Sequence, residues 1–275
     1  MTILKDKVIL LTGGTAGIGY ECAKAYEKAG ASISILSDSE ESITEAAKVF
    51  SGDRIHYIQA DVANERDMHK AIRETIARFK KIDAVHNNAG ISSPSKSLDE
   101  TTSDEWDRLF NVNVKGIYHS TKYALPALKI TRGNILNTTS LVGDIGQEIH
   151  AAYSATKGAI NAMTKSMALD YAGFGIRVNA VAPAGVWTPM LRDWSNQQPH
   201  PEEIQQYLKE IHPLGYCPEG DVIADACVFL LSDMARFVTG CILPVSGGAE
   251  LGYRKFLNKP TDPSKINPGD QTDIK

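Results

Sequence analysis

Short apolar runs alternate with longer amphipathic stretches along the chain, and that alternation limits the fold more than any other property of the sequence. Residues 7–12, 32–36, 54–59, 82–86, 133–138, 176–181 and 241–245 read as strands. Residues 17–28, 40–50, 65–79, 104–128, 152–171 and 220–231 read as helices. In 65–79, for instance, Met68, Ile72, Ile76 and Phe79 recur at helical spacing. Strands that alternate with helices call for a mostly parallel sheet covered on both faces. Right-handed crossovers then give a doubly wound α/β fold. No internal repeat or linker divides the 275 residues, so one domain is expected over 1–253. Residues 187–215 read as a long loop that serves as a substrate lid. Residues 254–275, with Pro260, Pro263 and Pro268 among polar neighbours, are expected to form a poorly ordered tail.

Bulk properties exclude several roles. With 29 basic and 33 acidic residues the net charge is -4, so a nucleic-acid partner is not expected. The apolar stretch 8–11 is too short for a signal peptide, and no run is long enough to span a membrane. A cytoplasmic protein without a membrane partner is the expectation. The four cysteines, Cys22, Cys217, Cys227 and Cys241, show no CxxC spacing, and the seven histidines include no HExxH pair. Neither a disulfide framework nor a metal site is therefore indicated.

The first strand ends in Thr12-Gly13-Gly14-Thr15-Ala16-Gly17-Ile18-Gly19. Glycines between a strand and a helix let the backbone turn tightly and approach a pyrophosphate, which the N–H groups of the helix start then face. At the end of the second strand Asp38 is the candidate to grip a ribose diol, or else to cap the helix that follows. No basic residue stands at Ala16, Ser37, Asp38 or Ser39 to meet a 2'-phosphate, which favours NAD over NADP.

Tyr153 and Lys157 lie four apart and share a helix face. A neighbouring ammonium favours the phenolate and is expected to lower the tyrosine pKa, so that Tyr153 can exchange a proton with a substrate oxygen. Ser140, just past the strand over 133–138, offers a hydroxyl to the same oxygen. Asn113 sits mid-helix, where asparagine is a middling choice, and is read either as the holder of a proton-relay water or as a solvent-facing amide. Asn87-Asn88-Ala89-Gly90 follows the fourth strand, where an open sheet exposes its ligand crevice.

Taken together, the glycine turn, Asn87 to Gly90, Asn113, Ser140, and Tyr153 with Lys157 resemble the short-chain dehydrogenase/reductase family in order and spacing. The resemblance implies a seven-stranded Rossmann-like sheet and a catalytic tetrad of Asn113, Ser140, Tyr153 and Lys157. It implies cofactor contacts from Thr12, Gly13, Thr15, Gly17, Ile18 and Gly19, from Asp61 and Val62 at the adenine, and from Asn88, Ala89 and Gly90. Lys157 would also bond the nicotinamide ribose beside Tyr153, and Pro183, Gly185, Val186 and Thr188 would hold the carboxamide. A homotetramer built through the helices at 104–128 and 152–171 is implied as well. Three segments, 140–147, 187–189 and 247–253, narrow the resemblance to a branch acting on steroids and L-fucose. On that footing Gln147 and Trp187 face the substrate, and Tyr253 with the tail reaches a neighbouring subunit. His150, three before Tyr153, is read as a further substrate contact or as an exposed loop residue. The polar members of the lid place a sugar or polyol ahead of a steroid or other apolar alcohol. A non-catalytic NAD-binding sensor is the reading from another class, and the complete tetrad speaks against it.

Overall fold

The computed structural model describes residues 2–252; the tail expected at 254–275, and Tyr253 before it, lie outside the described residues. Seven parallel strands form one sheet: β1 (Val8–Thr12), β2 (Ser32–Ser37), β3 (Ile55–Gln59), β4 (Ala84–Asn87), β5 (Asn134–Thr138), β6 (Arg177–Pro183) and β7 (Ile242–Val245). Their order is β3-β2-β1-β4-β5-β6-β7. The helices are α1 (Gly17–Lys28), α2 (Glu40–Val49), α3 (Glu65–Phe79), α4 (Ser103–Phe110), α5 (Gly116–Thr131), α6 (Ala151–Ala172), α7 (Pro189–Asn196), α8 (Pro201–Glu210) and α9 (Gly220–Leu231). No described helix is long and apolar enough to cross a membrane.

The strands are apolar on both faces because both faces are covered. Ile9 and Leu11 of β1 join Cys22, Ala23 and Tyr26 of α1 and Ile223, Cys227 and Leu230 of α9 in one core. Leu10, between them, joins Met68 and Ile72 of α3, Leu128 of α5 and Ile160 of α6 in the other. Alternate residues of a strand point to opposite faces, so one five-residue strand feeds two cores. The strand order reverses at β1, which pairs with β2 on one side and β4 on the other. A crevice opens at such a reversal, outside the carboxyl ends of the strands.

The structure departs from the sequence expectations in two places. The helix expected over 104–128 is interrupted by a π turn, Asn111–Lys115, between α4 and α5. The residues expected to form a lid loop instead contain two helices, α7 and α8. Thr188 caps α7 by accepting a hydrogen bond from the Leu191 N–H, and both helices carry proline in their first turn. Proline suits that position because its missing N–H would have had no partner within the helix.

Candidate active site

At the head of α1 the backbone packs too closely for any side chain. A Cβ on Gly19 would stand 2.1 Å from the Gly13 carbonyl oxygen and 2.5 Å from Asn88 Nδ2. Gly13 has φ of +63°, a region that disfavours residues with a Cβ, and its own Cβ would meet Ala89 Cα at 2.8 Å. Thr12 Oγ1 accepts from the Asn88 and Ala89 N–H groups, both at 3.0 Å. Asn88 Nδ2 donates to the carbonyls of Thr12 and Gly13. The Asn88-Ala89-Gly90 loop is thereby fastened to the glycine turn. Ala16 gives α1 no side-chain cap, so the first-turn N–H groups are left for an anion. Thr15, Gly17 and Pro189 line a groove of about 450 Å³ beside this turn. The bare backbone and the free donors fit the pyrophosphate of a dinucleotide.

At the end of β2, Asp38 is exposed and does not cap α2; Ser39 does, accepting from the Ser42 N–H. Ser42 Oγ lies 3.0 Å from Thr15 Oγ1 and 2.9 Å from Ser37 Oγ, so three hydroxyls knot the end of β2 to the glycine turn. Asp61 follows β3, and its carboxylate accepts from the Ala63 N–H. Val62 is buried against Gly116.

Across the crevice α6 presents Tyr153 and Lys157. Lys157 is buried, and its Nζ donates to the Thr138 carbonyl at 3.1 Å. The ammonium lies 5.5 Å from the centre of the Tyr153 ring. Burial pushes the lysine pKa down to about 8. It pushes the Tyr153 hydroxyl up to about 12, against a lowering pull from the hydroxyl of Ser140. The expected lowering of the tyrosine is thus reversed, because loss of water around the phenolate outweighs the help it receives. Ser140 caps the short 3₁₀ turn Leu141–Gly143, which fixes its hydroxyl beside Tyr153.

Asn113 lies in the π turn and is buried, so the solvent-facing reading is excluded. Its Nδ2 donates to the Ile91 carbonyl and to Thr156 Oγ1, while its Oδ1 accepts from the Ile91 N–H. Both donor protons are used, leaving one lone pair of Oδ1 for any water. The side chain clamps the loop after β4 to α6. A Cβ on Gly90 would stand 3.2 Å from this Oδ1 and 3.8 Å from Lys157 Nζ, so Gly90 keeps bare backbone beside the lysine.

The segment from Pro183 to Thr188 runs off β6 and over the glycine turn. A Cβ on Gly17 would stand 3.2 Å from Thr188 Cγ2. Val186 is buried, and Gly185 packs against His212 and Cys217. Ile18, also expected at the cofactor, packs on the core that α1 and α9 share. The substrate candidates separate. Gln147 is exposed, and Trp187 lines the groove beside the glycine turn with the Arg192 guanidinium 5.0 Å from its ring centre. His150 is buried rather than exposed. Its Nδ1–H donates to the Glu148 carbonyl, so Nε2 faces Ser95 Oγ at 3.4 Å as an acceptor. Trp194 of α7 donates to the same Ser95 Oγ at 3.2 Å, and the three residues latch the lid to the rim of the crevice.

Sequence reasoning missed Thr138, Thr139, Thr156 and Ser95, and placed Trp194 only as an aromatic member of the lid. The run Thr138-Thr139-Ser140 was the available signal: Thr138 receives the lysine, Thr139 Oγ1 donates to the Lys157 carbonyl, and Ser140 meets the tyrosine. It also missed a cluster that no spacing announced. Cys22, Cys227 and His86, drawn from α1, α9 and β4, bring their ligand atoms within 4.8 Å of one another.

Residues 13–250 match the family model described as enoyl-(acyl carrier protein) reductase. L-fucose dehydrogenase of Bos taurus is 38% identical over 264 residues, covering 94% of this chain and 97% of that protein. Two solved structures share the fold at higher than chance identity. Aldohexose dehydrogenase of Thermoplasma acidophilum superposes with a TM-score of 0.85 at 30% identity, over 94% of this chain and 99% of the other. The 3-ketoacyl-(acyl-carrier-protein) reductase of Brucella melitensis, complexed with NADH, gives 0.82 at 31%, over 90% and 99%.

Proposed function

The chain belongs to the short-chain dehydrogenase/reductase family, a nicotinamide-dependent oxidoreductase acting on alcohols, and from that premise we propose that it oxidises a secondary hydroxyl of a sugar or polyol with NAD. The observation that carries the chemistry is the convergence of Ser140, Tyr153 and Lys157 beside the glycine cradle. A nicotinamide held there would supply the acceptor for the substrate's hydride. Ser140 Oγ orients the substrate oxygen, and Tyr153 Oη takes its proton. Lys157, held by the Thr138 carbonyl, supplies positive charge next to the ring and a donor toward the cofactor ribose beside Gly90. Asn113 positions the loop that carries Gly90. Thr12 Oγ1 and Asn88 keep the turn open to a pyrophosphate, with Gly13, Thr15, Gly17 and Gly19 as its bare or hydroxyl-bearing wall.

A tyrosine pushed up to about 12 is protonated at neutral pH and serves directly as a proton donor to a carbonyl. Alcohol oxidation needs the phenolate, whose fraction grows about tenfold per pH unit below the pKa. Oxidation is therefore expected to quicken by about tenfold per pH unit, while carbonyl reduction, which uses the protonated tyrosine, stays nearly constant until pH approaches about 12. Tyr153→Phe is expected to lower turnover by about 10³-fold while NADH fluorescence titration still reports binding. Undiminished turnover in that variant would refute the assignment.

The choice of NAD rests on Asp38 and the hydroxyl knot. A 2'-phosphate there would meet a carboxylate and no basic residue at 15–16 or 37–39. NADH is expected to bind about tenfold more tightly than NADPH, a difference of about 1.4 kcal/mol. The reverse order overturns the role given to Asp38. The choice of a hydroxyl-rich substrate is supported by two relatives named for sugars and by the latch region. Ser93 and Ser195, close to it in sequence, bury hydroxyls that no group among the described residues pairs. Exposed Met190, Tyr207 and Leu214 on the lid favour a second reading, an apolar alcohol such as a steroid. A screen of sugars, polyols and steroids against NAD reduction separates the two. Tyr118 of α5 and Leu169 of α6 are exposed apolar residues on the helices that a homotetramer would use.

A further inference from the structure

Beneath the crevice, on the sheet face covered by α1 and α9, a polar group of side chains lies inside an apolar core. His86, Cys22, Cys227 and Tyr26 are each 0% exposed. Cys22, Tyr26 and Cys227 pack among Ile9, Leu11, Ile223 and Leu230. None of the four takes part in the chemistry described above. We propose that Cys22, Cys227 and His86 form a structural binding site for a thiophilic divalent cation of the zinc class, with the Tyr26 hydroxyl completing a tetrahedron.

The histidine is set up for ligation by a chain of hydrogen bonds in which every donor meets an acceptor when His86 carries its proton on Nε2. Asn88 Nδ2 spends both protons on the Thr12 and Gly13 carbonyls, so Asn88 Oδ1 is the acceptor that faces Thr138. Thr138 Oγ1 therefore donates to Asn88 Oδ1, at 3.3 Å. With its proton used, Thr138 Oγ1 accepts from His86 Nε2–H at 2.9 Å. His86 is thus the Nε2–H tautomer, and its Nδ1 lone pair faces Tyr26 Oη at 2.8 Å. A metal-binding histidine characteristically donates its other N–H to an orienting group, and Thr138 fills that role.

Distance and charge agree with this assignment. The three ligand atoms all lie within 4.8 Å of one another. A point about 2.8 Å or less from each therefore exists among them, and a contraction of about half an ångström reaches the ~2.0–2.3 Å of zinc–nitrogen and zinc–sulfur bonds. On binding, each thiol releases its proton to solvent, and the two thiolates cancel the charge of the cation. A neutral complex is tolerated in an apolar core where a bare ion is not. Two cysteines and a histidine select a soft, thiophilic cation over magnesium or calcium, which prefer oxygen.

The ligands come from α1 near the start of the chain, β4 in its first half and α9 near its end. The cation would therefore be taken up as α9 docks on α1, coupling binding to folding. The site also reaches the crevice. Thr138, which orients His86 through its hydroxyl, receives Lys157 Nζ on its carbonyl, and Asn88 holds the glycine turn.

The full-length protein, expressed in zinc-supplemented medium and desalted, is expected to carry about one zinc per chain by plasma mass spectrometry, against less than about a tenth in Cys22→Val/Cys227→Val. Expression with cobalt in place of zinc is expected to give the sulfur-to-cobalt charge-transfer absorption of a two-thiolate site. That spectrum needs no variant, so it decides the matter even if the double variant fails to fold. Metal-free wild-type protein after loading, a cobalt spectrum without thiolate bands, or zinc retained by the folded double variant would each overturn the proposal.

Discussion

At the glycine turn, position is set by backbone. Gly13 and Gly19 leave no room for a Cβ, Gly17 holds a φ of +54°, and Thr12 and Asn88 bond across from β1 to the loop after β4. At the lid, position is set by side chains from distant segments. Trp194 reaches Ser95, Ser95 meets His150, and Arg192 pairs with Glu219. The first arrangement tolerates almost no substitution and accepts one shape of ligand. The second can be rewritten one side chain at a time, which is how one scaffold serves different alcohols.

The sharpest way to break that comparison is to make the same small substitution in both regions. Gly19→Ala places a methyl 2.1 Å from the Gly13 carbonyl oxygen, so the turn must shift and the Asn88 bond to Gly13 is lost. NADH affinity is expected to fall by about 100-fold or more, or about 2.7 kcal/mol, measured by fluorescence titration. Gly146→Ala, before Gln147 on the substrate side, meets nothing within 4 Å and is expected to leave NADH binding and melting temperature unchanged. Similar losses from both would show that the two regions are equally constrained.

The same contrast explains what the sequence made legible. The alternation of strands and helices located both cores because each strand had to be apolar on both faces. The glycine turn was legible because a missing side chain is visible in sequence whatever surrounds it. The meeting of His150 with Ser95 and Trp194 was not, because it depends on a lid that folds as two helices. That folding was itself signalled only by Thr188-Pro189 and Pro201. The tyrosine's proton affinity was misjudged for a related reason. Spacing placed Lys157 on the same face as Tyr153, but burial sets the pKa of both, and burial is a property of the packed molecule. The Cys22, Cys227 and His86 cluster escaped notice because its members lie on three separate elements.

Lys157 offers a test of intermediate size, since it belongs to the rigid side yet carries a charge. Burial lowers its pKa from 10.5 to about 8. Below about 8 both the folded and the unfolded chain hold the proton, and the folded protein bears the full cost of a buried ammonium. Between about 8 and 10.5 the unfolded chain binds more protons, so stability rises with pH across that window. Lys157→Met removes this contribution. The difference in melting temperature, wild type minus variant, is expected to grow by about 5–10 °C from the lower to the upper end of the window, at about 2–4 °C per kcal/mol for a chain of this size. A flat difference would mean that the ammonium is solvated in the folded protein.

Trp194→Phe probes the adaptable side and carries the smallest expected effect. The substitution keeps an aromatic ring on α7 and removes the indole N–H that donates to Ser95 Oγ. Ser95 can still donate to His150 Nε2, so the rim of the crevice keeps one of the two links in the latch. A single neutral hydrogen bond at a partly exposed site contributes about 0.5–1.5 kcal/mol, so KM for an accepted alcohol is expected to rise by about two- to tenfold. Neither kcat for the accepted alcohol nor NADH affinity should follow, because Ser140, Tyr153 and the glycine turn are untouched. A parallel fall in kcat would mean that lid closure also positions the reacting groups, and the division between a fixed cofactor end and an adaptable substrate end would then have to be redrawn through α7.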